Sequence, residues 1–266
     1  KYVSRYLKYY IIDPIYEAGT FVNTDINRAR KCIIKSFFKT DPETGESIYQ
    51  QKLCFESVVN IAMIVYNTKH PFIALDLTNA YNNVNYDKAY LIINKYMAAK
   101  YPGDNSSNYA LGLMRLCYAI RYTDSALKKV MLRNKGVPQG SPISMDIFIL
   151  LMDYLLKDVI ANCEKEYGII HNVDYQIIAY VDDIQILFMT QKGCDHANKM
   201  LDLINNIFTA VDFALNKGKC YKSHHAELSS CNLSVHGSEE KYLGIYLEKD
   251  PRKYLTIIEA NIRDRY

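Results

Sequence analysis

Three aspartates lie in hydrophobic surroundings where an apolar segment would not by itself place a charge. Asp76 is near the end of the run FIALDL, at residues 72–77, and Asp182 and Asp183 lie between two apolar runs in QIIAYVDDIQILFM, at residues 176–189. An uncompensated carboxylate is costly in such surroundings, and neither segment contains an arginine to pair with it. Carboxylate oxygens are the ligands that hard divalent ions prefer, so these side chains predict a Mg²⁺ site.

Two such ions would support phosphoryl or nucleotidyl transfer. One ion lowers the pKa of an attacking hydroxyl, and a second, about 3.5–4 Å away, holds a triphosphate and stabilises the leaving pyrophosphate. The protein then acts mainly by positioning groups and neutralising charge. Taken singly, Asp76 could equally cap a helix that begins near Asn79, and Asp182 and Asp183 could form an ordinary hairpin turn, since aspartate favours turns.

The hydrophobic pattern predicts the elements that must position these carboxylates. FIALDL predicts a buried central strand, and the two apolar runs around Asp182 and Asp183 predict a hairpin with both carboxylates at its tip. The loop GVPQGSP, at 136–142, leads into a long buried helix, with Ser141 suited to the N-cap and Pro142 to the first helical position.

The rest of the chain divides into shorter elements. Residues 1–70 predict strands and loops followed by a helix over about 57–66, and residues 87–133 predict two helices and a turn. A further helix over about 196–213 is ended by Asn216 and Gly218, and short strands are predicted near LSVH and YLGIYL. One sheet with helices segregated beside it is an α+β fold.

The composition is that of a globular chain. The 266 residues (30.7 kDa) are 49% hydrophobic and 23% charged, which excludes disordered, collagen-like and disulfide-scaffold proteins. Lysine and arginine (32) barely exceed aspartate and glutamate (29), so net charge alone does not indicate a polyanionic partner.

No apolar run has the about 18 residues of a membrane-spanning helix, and no signal peptide pattern opens the chain. We therefore expect a soluble protein with no membrane partner.

The cysteines indicate a reducing compartment. Their number is odd and no CxxC pair is present, so neither a disulfide framework nor a zinc ribbon is predicted. Cys220, His224, His225 and Cys231 have a spacing that could loosely hold zinc, which we regard as the weaker alternative. The chain begins with Lys1 and stops inside a predicted helix, so we expect it to be a fragment.

Five segments carry a family resemblance. In this order and at these separations, FIALDLTNAYNNV, GVPQGSPIS, AYVDDIQILF, LNKGKC and KYLGIYL resemble motifs A to E of reverse transcriptases. The resemblance covers about residues 10–250 and is greatest to non-LTR retrotransposon enzymes, with group II intron and retron enzymes as relatives. It implies a right-hand polymerase with an antiparallel palm sheet flanked by helices and a largely absent thumb.

The resemblance implies a catalytic set around the carboxylates. Asp76, Asp182 and the Leu77 carbonyl would bind two Mg²⁺ ions, for which Mn²⁺ could substitute, and Asp183 would complete the site. Lys219 resembles a lysine near the pyrophosphate, a candidate general acid, although a solvated lysine is the alternative.

Other positions are similar to residues that bind substrate. Tyr81 resembles the aromatic steric gate that collides with a 2′-OH and so selects deoxynucleotides, although an ordinary buried tyrosine on a helix is the alternative. By resemblance, Gln139 and Gly140 contact the nucleotide, and Ser141 and Pro142 contact the template. The segment Tyr242, Leu243 and Gly244 resembles the primer grip.

The N-terminal part implies triphosphate contacts. IIDPIYEAG and RARKCIIKS resemble fingers motifs that end in an arginine, and Arg30 is the matching residue. The chain departs from many relatives at Glu17 and Ala18, where lysines are usual, and Lys31 or Lys35 could substitute. A further basic cluster before GVPQGSP could bind template phosphates or be a solvated helix face: Lys128, Lys129, Arg133 and Lys135.

The implied function is RNA-directed DNA polymerisation. The partners would be an RNA template, a DNA primer and dNTPs, inside the cell in nucleus or cytoplasm, with the oligomeric state left open. The fingers would be residues 1–71 with 88–135, the palm 72–87 with 136–250, and the start of a thumb or connection 251–266. The alternatives are a retron, intron-encoded or defence-type reverse transcriptase, an RNA polymerase, which Tyr81 disfavours, and a non-catalytic scaffold that binds nucleic acid.

Overall fold

The computed structural model describes part of the chain, and everything below concerns that part. The described residues are 38–40, 47–49, 70–100, 108, 121–124, 129–132, 135–137, 144–235, 241–242 and 245–246. The helix predicted over 57–66 lies outside them. None of the described helices combines the length and the apolar character that crossing a membrane requires.

A five-stranded sheet forms the centre of the described fold. Its strands, in chain order, are β3 (Phe72–Leu75), β6 (Tyr175–Tyr180), β7 (Asp183–Phe188), β8 (Tyr221–Lys222) and β9 (Ser234–Val235). Two short strands that precede them in the chain, β1 (Phe38–Thr40) and β2 (Ser47–Tyr49), pair with each other in a separate sheet. The spatial order is β6-β7-β3-β8-β9, so β3 lies in the middle. The predicted antiparallel sheet is present, and β9 joins it parallel to β8.

Helices cover one face of this sheet. They are α1 (Tyr86–Lys100), α2 (Ser144–Asn162), α3 (Gln191–Asp195) and α4 (Ala197–Thr209), and α2 packs against both α1 and α4. Alternate residues of the strands, such as Ile73 and Leu75 in β3 and Ile184 and Ile186 in β7, point into one hydrophobic core with these helices. The predicted α+β class is confirmed.

All four residues of β3 are buried, and this agrees with the prediction of a central strand. The long helix predicted after GVPQGSP is also confirmed, as α2, although Ser141 and Pro142 lie outside the described residues. The helix predicted over 196–213 ends earlier, with α4 at Thr209, because the chain turns at Asp212, whose φ is 68°.

One helix prediction is wrong in its extent. The span 87–133 predicts two helices and a turn, and α1 is the first helix. The residues whose spacing predicts the second helix, 111–117, lie outside the described residues, but Arg121–Asp124 and Lys129–Leu132, at the end of the span, are antiparallel strands, β4 and β5. Short apolar runs do not distinguish helix from strand by periodicity alone, and β-branched and aromatic residues here favour the strand. Lys129 therefore lies on a hairpin strand and not on a helix face.

Asp174 stabilises the junction between the loop before β6 and the start of α3. Its carboxylate accepts hydrogen bonds from Ile170 N (2.9 Å) and Thr190 Oγ1 (2.8 Å), and these bonds hold its pKa below its usual range. We expect Asp174→Asn to lower the free energy of unfolding by about 1–3 kcal/mol at neutral pH. Because the folded-state pKa is depressed, this stabilisation is present above the usual pKa of 3.8 and is lost as the pH falls below it.

Urea unfolding of both proteins from neutral pH to about pH 3 measures this difference. The exposed Asp202 in α4 offers the matched Asp202→Asn control, which should unfold like the wild type throughout. A gap between Asp174→Asn and the wild type that stays constant in acid would show that the charge of Asp174 is not what stabilises the junction.

Candidate active site

Asp76 directly follows β3 at the end of the central strand. Its carbonyl oxygen accepts a hydrogen bond from Asn216 N at 2.8 Å, and Thr78 N donates to Ala214 O at 2.8 Å. Leu77, between them, forms an isolated antiparallel bridge with Leu215. The backbone around Asp76 is therefore fixed by the segment that follows α4, while its carboxylate stays about one-third exposed.

Asp182 lies in the tight turn between β6 and β7, and Asp183 is the first residue of β7, so the predicted hairpin carries both carboxylates at its tip. Tyr180 pairs with Asp183, so Val181 and Asp182 form a two-residue turn. Val181 has a φ of 58°, in the left-handed region that β-branched residues rarely adopt. Because Leu75 pairs with Ile184, this strained turn lies beside Asp76 at the same end of the sheet.

The three carboxylates are close enough to influence one another. Loss of hydration, followed by repulsion from Asp182 and Asp76, raises the pKa of Asp183 to about 6. Loss of hydration also raises the pKa of Asp182, with a smaller contribution from the charge of Asp76. The Asp183 side chain is nevertheless exposed, so crowding by protein atoms removes only part of its water and leaves the carboxylate open to a ligand.

Lys219 supplies the cation that is missing from both carboxylate segments. Its Nζ lies 3.8 Å from Asp76 Oδ2, and its charge offsets a small part of the rise in pKa at Asp182 and Asp183. The Lys219 side chain is 69% exposed, so solvent screens the pair and it contributes little stability. One ammonium against three carboxylates leaves the site with excess negative charge, which favours a divalent cation.

The donor set fits the ion that the sequence predicts. Among the residues that the structure describes, no group of three or more histidine, cysteine, aspartate or glutamate side chains is arranged so that it could hold a metal ion. Mg²⁺ usually takes only one or two protein carboxylates and completes its shell with water and substrate phosphates. Asp76 and Asp182 satisfy that requirement.

A backbone oxygen adds to this donor set. The carbonyls of Asp76 and Thr78 both accept hydrogen bonds, from Asn216 N and from Asn83 Nδ2 respectively. Within the described part of the chain, the Leu77 carbonyl between them accepts none. It is therefore available as a further oxygen ligand, as the sequence predicts.

Tyr81 lies on a short 3₁₀ turn, Ala80–Asn83, and not on a long helix. Its ring is half-buried and stacks on Phe148 of α2, with ring centroids 4.9 Å apart and an interplanar angle of 12°. Phe148 is fully buried and meets the edge of Phe213 at 5.8 Å. The stacking holds the ring of Tyr81 in one orientation, and the residue is only half-buried.

The first two residues of the GVPQGSP loop are hydrogen-bonded to this 3₁₀ turn and to the residues that follow it. Val137 N donates to Tyr81 O at 2.8 Å, Gly136 N donates to Val84 O at 2.7 Å, and Tyr86 Oη donates to Gly136 O at 2.7 Å. Gly136 has a φ of 86°, and a Cβ added there would lie 2.7 Å from the carbonyl oxygen of Asn82. Only glycine fits at this position.

We expect Gly136→Ala to destabilise the protein by about 1–3 kcal/mol and to displace the turn that carries Tyr81. Gly168→Ala is the matched control, because Gly168 also has a positive φ (64°) but an added Cβ would meet only the end of the Lys192 side chain at 3.9 Å. Comparing the thermal unfolding of both variants separates the effect of the clash with Asn82 from the effect of the positive φ, which both positions share. Equal losses in the two variants would show that the contact with Asn82 is unimportant.

The structure brings Asp76, Asp182, Asp183 and Lys219 together, with Leu77 beside them. Tyr242 lies in the first strand of a hairpin, β10 (Lys241–Tyr242) and β11 (Ile245–Tyr246), as predicted. The other predicted site residues lie outside the described part of the chain: Arg30, Gln139, Gly140, Ser141, Pro142, Leu243 and Gly244.

Of the basic cluster, Lys135 contacts the 3₁₀ turn, with its Nζ 3.4 Å from Asn83 Oδ1. Lys128 and Arg133 lie outside the described residues. The residues of the zinc alternative have other partners, since the Cys220 thiol contacts the Asp76 backbone and His225 Nδ1 lies 2.9 Å from Ser223 Oγ.

Several contributors were missed from the sequence. Asn216 was assigned only to the end of a helix, and Phe148 and Phe213 had no assigned role. Nothing in the sequence marks them, because each acts through a contact with a residue far away in the chain.

The chain is similar to a known protein family and, in its fold, to solved structures. The family model for reverse transcriptase (RNA-dependent DNA polymerase) matches residues 20–257. No curated protein matches the sequence. Among solved structures, a telomerase from Candida albicans in complex with a TWJ fragment of telomeric RNA is similar over 84% of this chain, with 12% identity and a TM-score of 0.50.

An apo telomerase from Candida tropicalis is similar over 91% of this chain, with 12% identity and a TM-score of 0.51. At these identities the likeness concerns the fold. The chain covers 35% and 40% of the lengths of these two telomerases.

Proposed function

Because the chain belongs to the reverse transcriptase (RNA-dependent DNA polymerase) family, we propose that it catalyses RNA-templated addition of dNTPs to a primer 3′-OH. The observation that carries this proposal is the meeting of Asp76, Asp182, Asp183 and Lys219, from three separate segments, at one end of the central sheet. A protein without catalytic chemistry has no physical need to gather three mutually repelling carboxylates.

The carboxylates would hold the catalytic ions. Asp76, Asp182 and the Leu77 carbonyl would be the direct ligands, and Asp183 would complete the negative charge. Bound Mg²⁺, or Mn²⁺ in its place, would supply activation of the primer hydroxyl and charge neutralisation at the triphosphate. Asp76 is firmly held by its backbone contacts, so its carboxylate would need little reorganisation when substrate binds.

Lys219 would act on the leaving group. Its side chain is exposed and joined to Asp76 only by a screened ion pair, so it can leave the carboxylate at little cost. Its ammonium would then contact the pyrophosphate. It would donate a proton to the leaving oxygen as the primer oxygen bonds to the α-phosphorus and the bond between that phosphorus and the pyrophosphate breaks.

Tyr81 would select the sugar. Its ring, fixed by Phe148, would lie under the ribose and collide with a 2′-OH.

The remaining predicted residues would bind the substrates. Arg30 would contact the triphosphate, and Gln139 and Gly140 would contact the nucleotide. The template would be bound by Ser141 and Pro142, and the primer by Tyr242, Leu243 and Gly244. The fingers and palm would have the bounds that the sequence analysis gives, and the source would be a non-LTR retroelement.

Primer extension by the full-length protein tests this proposal. An RNA or a DNA template is offered with Mg²⁺ and either dNTPs or NTPs, and the wild type is compared with the double variant Asp182→Ala plus Asp183→Ala. We expect dNTP-dependent extension on RNA that the double variant lacks. Preference for NTPs would indicate an RNA polymerase, and tight RNA binding with no extension would indicate a non-catalytic scaffold.

A further inference from the structure

The pairing between β3 and β8 is interrupted opposite Asp76. Ala74 pairs with Tyr221, and the next pair in that direction is Leu77 with Leu215. Between these two pairs, one chain has only Leu75 and Asp76, whereas the other has the five residues Asn216 to Cys220. The longer segment forms a bulge that re-aims its side chains, and Lys219 lies on it.

A side chain replaces the missing backbone partner of Asp76 at this bulge. The Asp76 N–H donates to Cys220 Sγ at 3.5 Å, and the same sulfur lies 3.7 Å from Asp76 O. The Asp76 carbonyl also accepts from Asn216 N at 2.8 Å. Both backbone polar groups of Asp76 therefore depend on the two ends of the bulge.

The bulge is closed on itself by its own backbone. Lys219 N and Cys220 N both donate to Asn216 O, at 2.9 and 3.0 Å. Cys220 is buried, with 2% of its surface exposed, so water does not compete for these contacts. The position of Lys219 is thus linked through Cys220 and Asn216 to the backbone of Asp76.

We propose that Cys220 is a positioning residue for the active site, which fixes the Asp76 backbone and, with it, the placement of Lys219 against the Asp76 carboxylate. The inference rests on the proposed polymerase function. In this role Cys220 would act only through Asp76 and Lys219, without contacting substrate or the reacting atoms.

The chemistry of sulfur suits this position. A thiol accepts and donates hydrogen bonds weakly and over longer distances than a hydroxyl, and it packs well in apolar surroundings. Alanine would leave the Asp76 N–H without this acceptor, and a buried donor without a partner is costly. Serine would restore a polar partner with a shorter reach, so it should recover part of the function.

The relative activities of the serine and alanine variants therefore distinguish a positioning role of Cys220 from a packing role. If Cys220 positions Asp76, Cys220→Ser should retain more activity than Cys220→Ala. If the thiol only fills space, alanine should be tolerated at least as well as serine, because serine buries a hydroxyl at an apolar position.

Single-nucleotide addition by the full-length protein provides the kinetic test. We expect kcat to fall about tenfold or more in Cys220→Ala and less in Cys220→Ser, since small displacements of catalytic groups are costly. Primer–template affinity and dNTP binding to a dideoxy-terminated primer should stay within about twofold of the wild type, since the proposed loss concerns the reacting geometry. Cys194, 3% exposed in α3, supplies the matched controls Cys194→Ala and Cys194→Ser, which should leave kcat unchanged.

Amide hydrogen exchange over residues 72–78 gives a readout that does not depend on activity. Exchange should be faster in Cys220→Ala, less so in Cys220→Ser, and unchanged in the Cys194 variants. A kcat in Cys220→Ala equal to that of Cys194→Ala, or above that of Cys220→Ser, would overturn the positioning role. A wild type that fails to extend any primer would instead overturn the proposed function, and the exchange data would still decide whether Cys220 holds Asp76.

Discussion

Replacing either Asp76 or Asp182 by alanine should lower kcat for nucleotide addition by about 10³-fold or more, because each carboxylate carries charge that no neighbour can replace. For Asp76 the loss has a second component. Its removal leaves the ammonium of Lys219 without its partner in the same site, where it would repel a cation. Single-turnover primer extension with Mg²⁺ measures the effect.

Two further measurements make this result specific. Affinity for the primer–template should remain within about threefold, since the carboxylates repel nucleic acid and do not bind it. Asp202→Ala, which removes an exposed aspartate from α4, should extend primers like the wild type. Retention of more than about a tenth of the wild-type rate by Asp182→Ala would remove that residue from the catalytic set.

Replacing Tyr81 by valine should raise the use of NTPs relative to dNTPs by about tenfold or more, because the smaller side chain leaves room for a 2′-OH. The ring can exclude this hydroxyl only if it is held in place, and Phe148 and Phe213 hold it. The ratio of kcat/KM for a matched NTP and dNTP measures the change. Phe148→Leu should shift the ratio in the same direction by a smaller amount.

A control substitution at another tyrosine distinguishes a change in sugar selectivity from a general loss of activity. Tyr90, which packs partly buried against the core from α1, can be changed to valine, and this variant should keep the wild-type ratio. If Tyr81→Val lowers both activities equally and leaves the ratio unchanged, Tyr81 serves only to pack against Phe148.

The parts of the fold that follow from local pattern could be predicted from the sequence. The strand length of FIALDL, with Pro71 before it and Asn79 after it, favours a buried strand, and the two short apolar runs around Asp182 and Asp183 favour a hairpin. The strands at Arg121–Asp124 and Lys129–Leu132 were included in the helical span 87–133, because such short segments carry too little periodicity to mark where a helix ends and a strand begins.

The supporting contacts of the site could not be predicted. Cys220 lies 144 positions after Asp76, and only the pairing of β8 with β3 brings the two together. The stacking of Tyr81 on Phe148 likewise depends on how α2 packs over the sheet. Contacts of this kind carry no local signal in a single sequence.

The central place of β3 has a consequence for how the protein is made. Both strands that pair with β3, namely β7 and β8, follow it by a long stretch of chain. While the polypeptide is being synthesised, β3 therefore leaves the ribosome with two open edges and four apolar residues, which is a hazard for aggregation. We expect the nascent chain to need a chaperone over this interval, and the catalytic centre to form only after Cys220 has emerged.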